Sequence, residues 1–109
     1  MDIVEIREIV TEWAASQPLI RKVWLFGSRV RGTERPDSDI DVAVEVRRLP
    51  GDSSEWTTFA CERERLSAAL QTLFPLPVQL EWYGGADETP TVHAGLQESS
   101  MMVYEASSH

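Results

Sequence analysis

Two aspartates one residue apart, Asp39 and Asp41, follow a Gly-Ser pair, Gly27-Ser28, after an interval of ten residues, and Arg29, Arg31 and Arg35 lie within that interval. Carboxylates at i and i+2 of a strand project from one face with Cα atoms roughly 6 to 7 Å apart. So placed, they repel each other unless a cation sits between them. Mg2+ suits such a pair, because it takes hard oxygen ligands and usually shares one or two carboxylates with substrate phosphates. The Gly-Ser turn supplies the complementary half. Without a Cβ, Gly27 lets a phosphate approach the backbone, where free N–H groups and the Ser28 hydroxyl can bond it. A short helix opening at 28–32 would add a favourable field for the same anion. Asp-x-Asp alone describes many solvated strand faces. The Gly-Ser turn, the fixed interval and the intervening arginines make the combination chemical.

These groups need a scaffold, and the flanking sequence provides alternating elements. Ile3, Ile6, Ile9, Val10 and Trp13 recur at three- and four-residue spacings over residues 2–15, one face of an amphipathic helix with Asp2 as N-cap and Pro18 as its stop. KVWLF, 22–26, is a short apolar run ended by Gly27 and reads as a buried strand. DIDVAVEV, 39–46, alternates strictly, with Ile40, Val42, Val44 and Val46 on one face and Asp39, Asp41, Ala43 and Glu45 on the other. Residues 52–74 carry Trp56, Phe59, Arg63, Leu66, Leu70 and Leu73 at helical spacing, with Asp52 and Glu55 in capping-box register and Pro75 and Pro77 beyond the end. VQLEW, 78–82, alternates with Val78, Leu80 and Trp82 inward until Gly84-Gly85. A short helix near 93–99 and an extended MMVYE complete the order. The expectation is one α/β (α+β) domain over 1–109, a small mixed sheet flanked by helices that lie on one side. All four tryptophans are expected to pack in the core, an exposed one being a candidate partner anchor.

Composition narrows the class. The chain has 109 residues and a net charge of −8, which argues against direct nucleic-acid binding, since phosphate affinity comes largely from clustered Lys and Arg. The single cysteine, Cys61, cannot form an internal disulfide, and His93 and His109 stand in no metal-ligand spacing. No apolar run approaches the roughly 20 residues of a membrane span, and MDIVEIREIV lacks the features of a signal peptide. A cytoplasmic protein is expected.

The stretch FGSRVRGTERPDSDIDVAV, with Gly27-Ser28 and Asp39-x-Asp41, resembles the signature of the nucleotidyltransferase superfamily related to DNA polymerase β. It is most similar to the minimal, MNT-type members that act as antitoxins to HEPN-domain toxins. The resemblance implies the minimal polymerase-β-like fold. It also implies ATP with its triphosphate over Gly27 and Ser28, Mg2+ held by Asp39 and Asp41, and Arg29 and Arg31 near phosphate or partner. The implied reaction is transfer of AMP to a protein hydroxyl of a HEPN ribonuclease toxin, within a hetero-oligomer. Larger relatives carry a further helical domain that holds base or acceptor; here a second protein, or a second copy of the chain, is expected to complete the site, and the resemblance names a HEPN toxin.

Relatives supply a third carboxylate from a later strand, in an apolar-Asp-apolar pattern. The best match here is VQL, which places Gln79 at that position, while Glu81 two residues on shares the strand face. Glu81 is the candidate substitute. The gap at Gln79 leaves open a non-catalytic antitoxin that occludes its toxin, and a small-molecule nucleotidyltransferase is the third reading.

Overall fold

The computed structural model describes residues 1–106; His109, weighed above as a metal ligand, lies outside them. Helix α1, Ile3–Ala15, begins where Asp2 accepts the Glu5 N–H at 2.9 Å. It buries Ile6, Val10, Trp13 and Ala14 along one stripe, as the three-and-four spacing requires. Strand β1, Ile20–Phe26, leads directly into a single helical turn α2, Ser28–Arg31, and then to β2, Ile40–Val46. Next come α3, Glu55–Gln71, β3, Val78–Trp82, α4, Pro90–Glu98, and β4, Ser100–Glu105.

The sheet order is β3-β2-β1-β4. Strand β1 pairs antiparallel with β2 and β4, whereas β2 and β3 run parallel. Parallel neighbours need a crossover, and α3 is that crossover. The mixed sheet expected from the alternating patterns is therefore present. Strand β1 starts two residues before the expected run, and an irregularity in its pairing between Ile20 and Lys22 keeps Ile20 inward along with Val23 and Leu25. Against these pack Val42, Val44 and Leu80 from the sheet, Ile6 and Val10 from α1, and Phe59, Leu66 and Leu70 from α3, forming one continuous core.

Three details depart from the sequence expectation. Helix α3 is capped by Ser54, which accepts the Thr57 N–H at 3.2 Å, rather than by Asp52. Asp52 accepts instead from the hydroxyl of the buried Thr58, whose Oγ1 also accepts the Leu49 N–H at 3.0 Å. That network fastens the turn before α3 to the helix. Second, Trp56 and Leu73 are 47% and 46% exposed; the buried face of α3 is centred on Thr58, Phe59, Leu66 and Leu70, which leaves Trp56 at its margin and Leu73 in the turn past its end. Third, the helices do not all lie on one side. The apolar KVWLF run places Trp24 and Phe26 on the second face of the sheet, and α4 covers that end, with Gly95 so close to the Phe26 ring that a Cβ there would press on it at 3.2 Å.

Candidate active site

The second face of the sheet carries the polar groups. Asp41 lies directly across from Phe26 of β1 and beside Gln79 of β3, while Ala43 takes the register position beside Glu81. Asp39 precedes β2 by one residue, where the Ile40 N–H donates to the Pro77 carbonyl at 2.9 Å and fixes the strand's start against β3. Gln79 reaches back across that pairing: its Nε2 donates to Asp39 Oδ2 at 3.3 Å. Asp39, Asp41, Gln79 and Glu81 thus share one open surface at the join of β2 and β3.

Gly27 closes the other side of this surface. Its φ of 82° and ψ of −157° turn the chain from β1 into α2, a conformation in the region that favours glycine. A Cβ at this position would run into the Asp41 carboxylate. The missing side chain therefore does two things: it permits the turn and it leaves room for Asp41. The Gly27 carbonyl accepts from Val30 and Arg31 at 3.1 and 3.2 Å, while the first N–H groups of a helix, here beginning at Ser28, have no acceptor within it.

The arginines divide their work. Arg29 directs Nε and Nη2 at the Ser38 carbonyl, at 3.2 and 2.8 Å, so it braces the loop that delivers Asp39. The same loop is tightened by Ser38, which accepts the Arg35 N–H at 2.8 Å and donates its own N–H to the Arg35 carbonyl. Arg31 pairs with Glu98 at the end of α4, at 3.3 Å, and is near enough to Asp41 to favour its charged form. Of the residues singled out from the sequence, Gly27, Asp39, Asp41 and Glu81 converge, with Ser28 at the head of α2 and Arg31 on the margin. Arg29 is turned to the loop. The contacts of Gln79 and Glu98 with this group were not legible: Glu98 is 67 positions from Arg31, and no local pattern marks such a pair.

The electrostatics of the cluster are one-sided. Burial pushes the Asp41 carboxyl above its usual range, the negative charges of Asp39 and Glu81 push it further, and Arg31 only partly opposes them. Asp39 and Asp41 are the pair of oxygen donors that could hold a divalent cation, and the uncompensated charge at Asp41 fits such an ion. Among the described residues no three His, Cys, Asp or Glu side chains form a ready-made metal cage.

A stability measurement follows from the raised Asp41 carboxyl. The folded chain holds that proton to higher pH than the unfolded chain does, so Asp41 costs nothing below the unfolded value near 4. Its penalty grows as pH rises through the folded value. Without divalent cations, Asp41→Asn is expected to melt above the wild type at pH 7, with the difference closing as pH falls toward 4. Mg2+ should raise the wild-type melting temperature at pH 7 more than that of the variant. Equal melting temperatures at every pH would refute this account.

Comparison with known proteins agrees with the geometry. Residues 8–107 match the family described as polymerase beta, nucleotidyltransferase. No match was found among curated proteins. Among solved structures, a toxin–antitoxin complex with AMP-PNP superposes with a TM-score of 0.67 at 19% identity, over 92% of this chain and 73% of that one. A mutant of the toxin–antitoxin pair MntA–HpeT gives 0.64 at 17% identity, over 97% and 75%. A candidate nucleotidyltransferase from Sulfolobus solfataricus gives 0.53 at 20% identity, over 92% and 77%. No helix among the described residues is long and apolar enough to cross a membrane. With the Gly-Ser turn, the paired aspartates and the mixed sheet in place, the match over nearly the whole sequence shows that this chain belongs to the polymerase β nucleotidyltransferase family.

Proposed function

We propose that the chain transfers AMP from ATP to a hydroxyl of a protein partner, acting as an antitoxin that adenylylates and neutralises a HEPN-type ribonuclease toxin. The observation that carries the reading is the close approach of the Asp41 carboxylate to Gly27, which sets a pair of carboxylates directly against the Gly-Ser turn at the head of α2. Two of the similar folds come from toxin–antitoxin complexes, one of them with AMP-PNP. Asp39 and Asp41 would hold Mg2+, which when bound supplies charge neutralisation and alignment for phosphoryl transfer. Gly27 and Ser28 bind the departing end of the triphosphate. Glu81 is the carboxylate placed to receive the acceptor's proton, and Arg31 can leave Glu98 for phosphate. Catalysis on this scaffold is positioning and electrostatics rather than covalent chemistry.

The test is to incubate the purified chain with Mg2+ and α-labelled ATP, with and without the protein encoded beside it. Label on that partner, with loss of its ribonuclease activity, is the expected result. Label on RNA or on an aminoglycoside, with the partner unmodified, would overturn it.

Gln79 favours one alternative, an antitoxin that blocks its partner by occlusion. An amide that donates to Asp39 occupies the register position beside Asp41, and an amide is a poor metal ligand or base. Two substitutions separate the readings. If Glu81 substitutes for the absent aspartate, Glu81→Gln lowers turnover at least tenfold, about 1.4 kcal/mol of barrier, with little change in ATP affinity. An unimpaired Glu81→Gln together with a faster Gln79→Asp would identify a weakened enzyme. Undetectable transfer in all three proteins would leave occlusion as the function.

A further inference from the structure

We propose that the cleft formed by the start of α3, the end of β3 and the start of α4 is the acceptor's docking site. Its occupant is a basic, hydroxyl-bearing polypeptide segment that lays an apolar side chain against Trp56. The inference rests on the nucleotidyltransferase reading above and specifies where its second substrate binds. The acceptor oxygen forms a bond to the α-phosphorus as the bond from that phosphorus to the bridging oxygen breaks. The electron pair leaves with pyrophosphate, and the hydroxyl proton passes to the Glu81 carboxylate. In such a displacement the entering and leaving oxygens lie on opposite sides of phosphorus. Gly27 and Ser28 take the leaving side, next to β1. The acceptor must then arrive from the opposite direction, across β3, which is an edge strand.

A cleft stands at that edge. Glu81 lines both the catalytic face and a hollow of about 270 Å3 walled by Trp56, Phe59, Trp82 and Val92. Trp56 is 47% exposed, yet it is held in place, with its ring centroid 6.1 Å from that of Phe59 and 5.4 Å from that of Trp82. A fixed, exposed tryptophan in a concave wall is the kind of anchor on which interfaces concentrate their energy. Charge selects the occupant. Glu81 and Glu88 line the cleft together with Arg63, whose guanidinium lies 6.0 Å over the Phe59 ring. An adjoining hollow shares Trp82 and Glu88 and adds Glu45 and Glu55 against Arg21, which is paired with Glu45 at 3.6 Å. The acidic excess here, on a chain of net charge −8, favours Lys or Arg in the arriving segment and disfavours a phosphate backbone.

Short synthetic peptides test this, each with a single Ser, Thr or Tyr next to leucine and flanked either by lysines or by glutamates. The full chain is incubated with each peptide, and separately with an RNA oligonucleotide, in Mg2+ and α-labelled ATP. ATP affinity is measured alongside. Wild type should label the lysine peptides about tenfold faster than the glutamate peptides. Trp56→Ala should raise the peptide KM about tenfold, the loss typical of an anchoring aromatic, with Trp56→Phe restoring most of it. Glu88→Lys should erode the preference for lysine. Equal labelling of both peptide sets, a Trp56→Ala protein with unchanged peptide KM, or label on the RNA would overturn the docking site. So would an absence of label on every peptide while Mg2+ and ATP still bind. A wild-type chain that fails to bind ATP sinks the underlying reading, and the docking site with it.

Discussion

Asp41→Asn abolishes nucleotidyl transfer while the chain remains folded: that is the largest effect expected from any single substitution. The side chain points away from Val42 and the core, so loss of its charge disturbs no apolar packing. What is lost is one of two carboxylates able to hold a cation beside the Gly27-Ser28 turn. Interactions that meet charge developing in the transition state are commonly worth 10²–10³ in rate, so a drop of at least about 100-fold is expected. Asp39→Asn should behave similarly, and it also alters the acceptor of the Gln79 amide. The measurement is label transferred per unit time under saturating Mg2+ and ATP, with circular dichroism to confirm the fold. Full activity in both variants would remove the paired carboxylates from the mechanism.

Gly27→Ala is the second. Two costs fall on one methyl group. A residue other than glycine at φ 82° is strained by about 1–3 kcal/mol, and the added Cβ drives directly into the Asp41 carboxylate. The second cost bears on function, because a displacement near 1 Å at a reacting centre can reduce rate about 100-fold. Gly32 provides the control. It has φ 78° and ψ 18°, the left-handed helical region, with nothing within 4 Å of where its Cβ would be, so Gly32→Ala carries a milder backbone strain and no clash. Urea unfolding should show both variants destabilised, Gly27→Ala more so, while only Gly27→Ala loses transfer activity. Equal activities would mean that the Gly27–Asp41 contact has no catalytic importance.

The part of this site that was legible in the sequence is the part built from neighbours in the chain. Strand β1, the Gly-Ser turn and β2 lie within residues 20–46, and period-two alternation forces Asp41 to the face opposite Val42. Glu81 and Gln79 followed from the same alternation in β3, but their register against β2 did not, since that depends on how α3 returns the chain. Longer-range facts left no local trace. The Arg31–Glu98 pair and the passage of α4 over Phe26 arise only after the sheet has formed. Trp56 was misplaced for a different reason. Helical periodicity locates an apolar stripe but not its centre, and the buried Thr58 pulled the true centre away from Trp56.

The parallel pairing of β2 with β3 sets an order of assembly. Strands β1 and β2 meet through a short connection, so Gly27 and Asp41 come together with little loop to close. Strand β3 must wait for the chain between 47 and 77 to fold back as a crossover, and closure entropy grows with the length enclosed. Gln79 and Glu81 are thus the late arrivals. Native-state hydrogen exchange should find the amides of β3 opening at lower free energy than those at the centre of β2, and equal protection would contradict it. On this view Asp39 and Asp41 belong to the part of the sheet that forms first, whereas the β3 side of the candidate site is its most easily loosened margin.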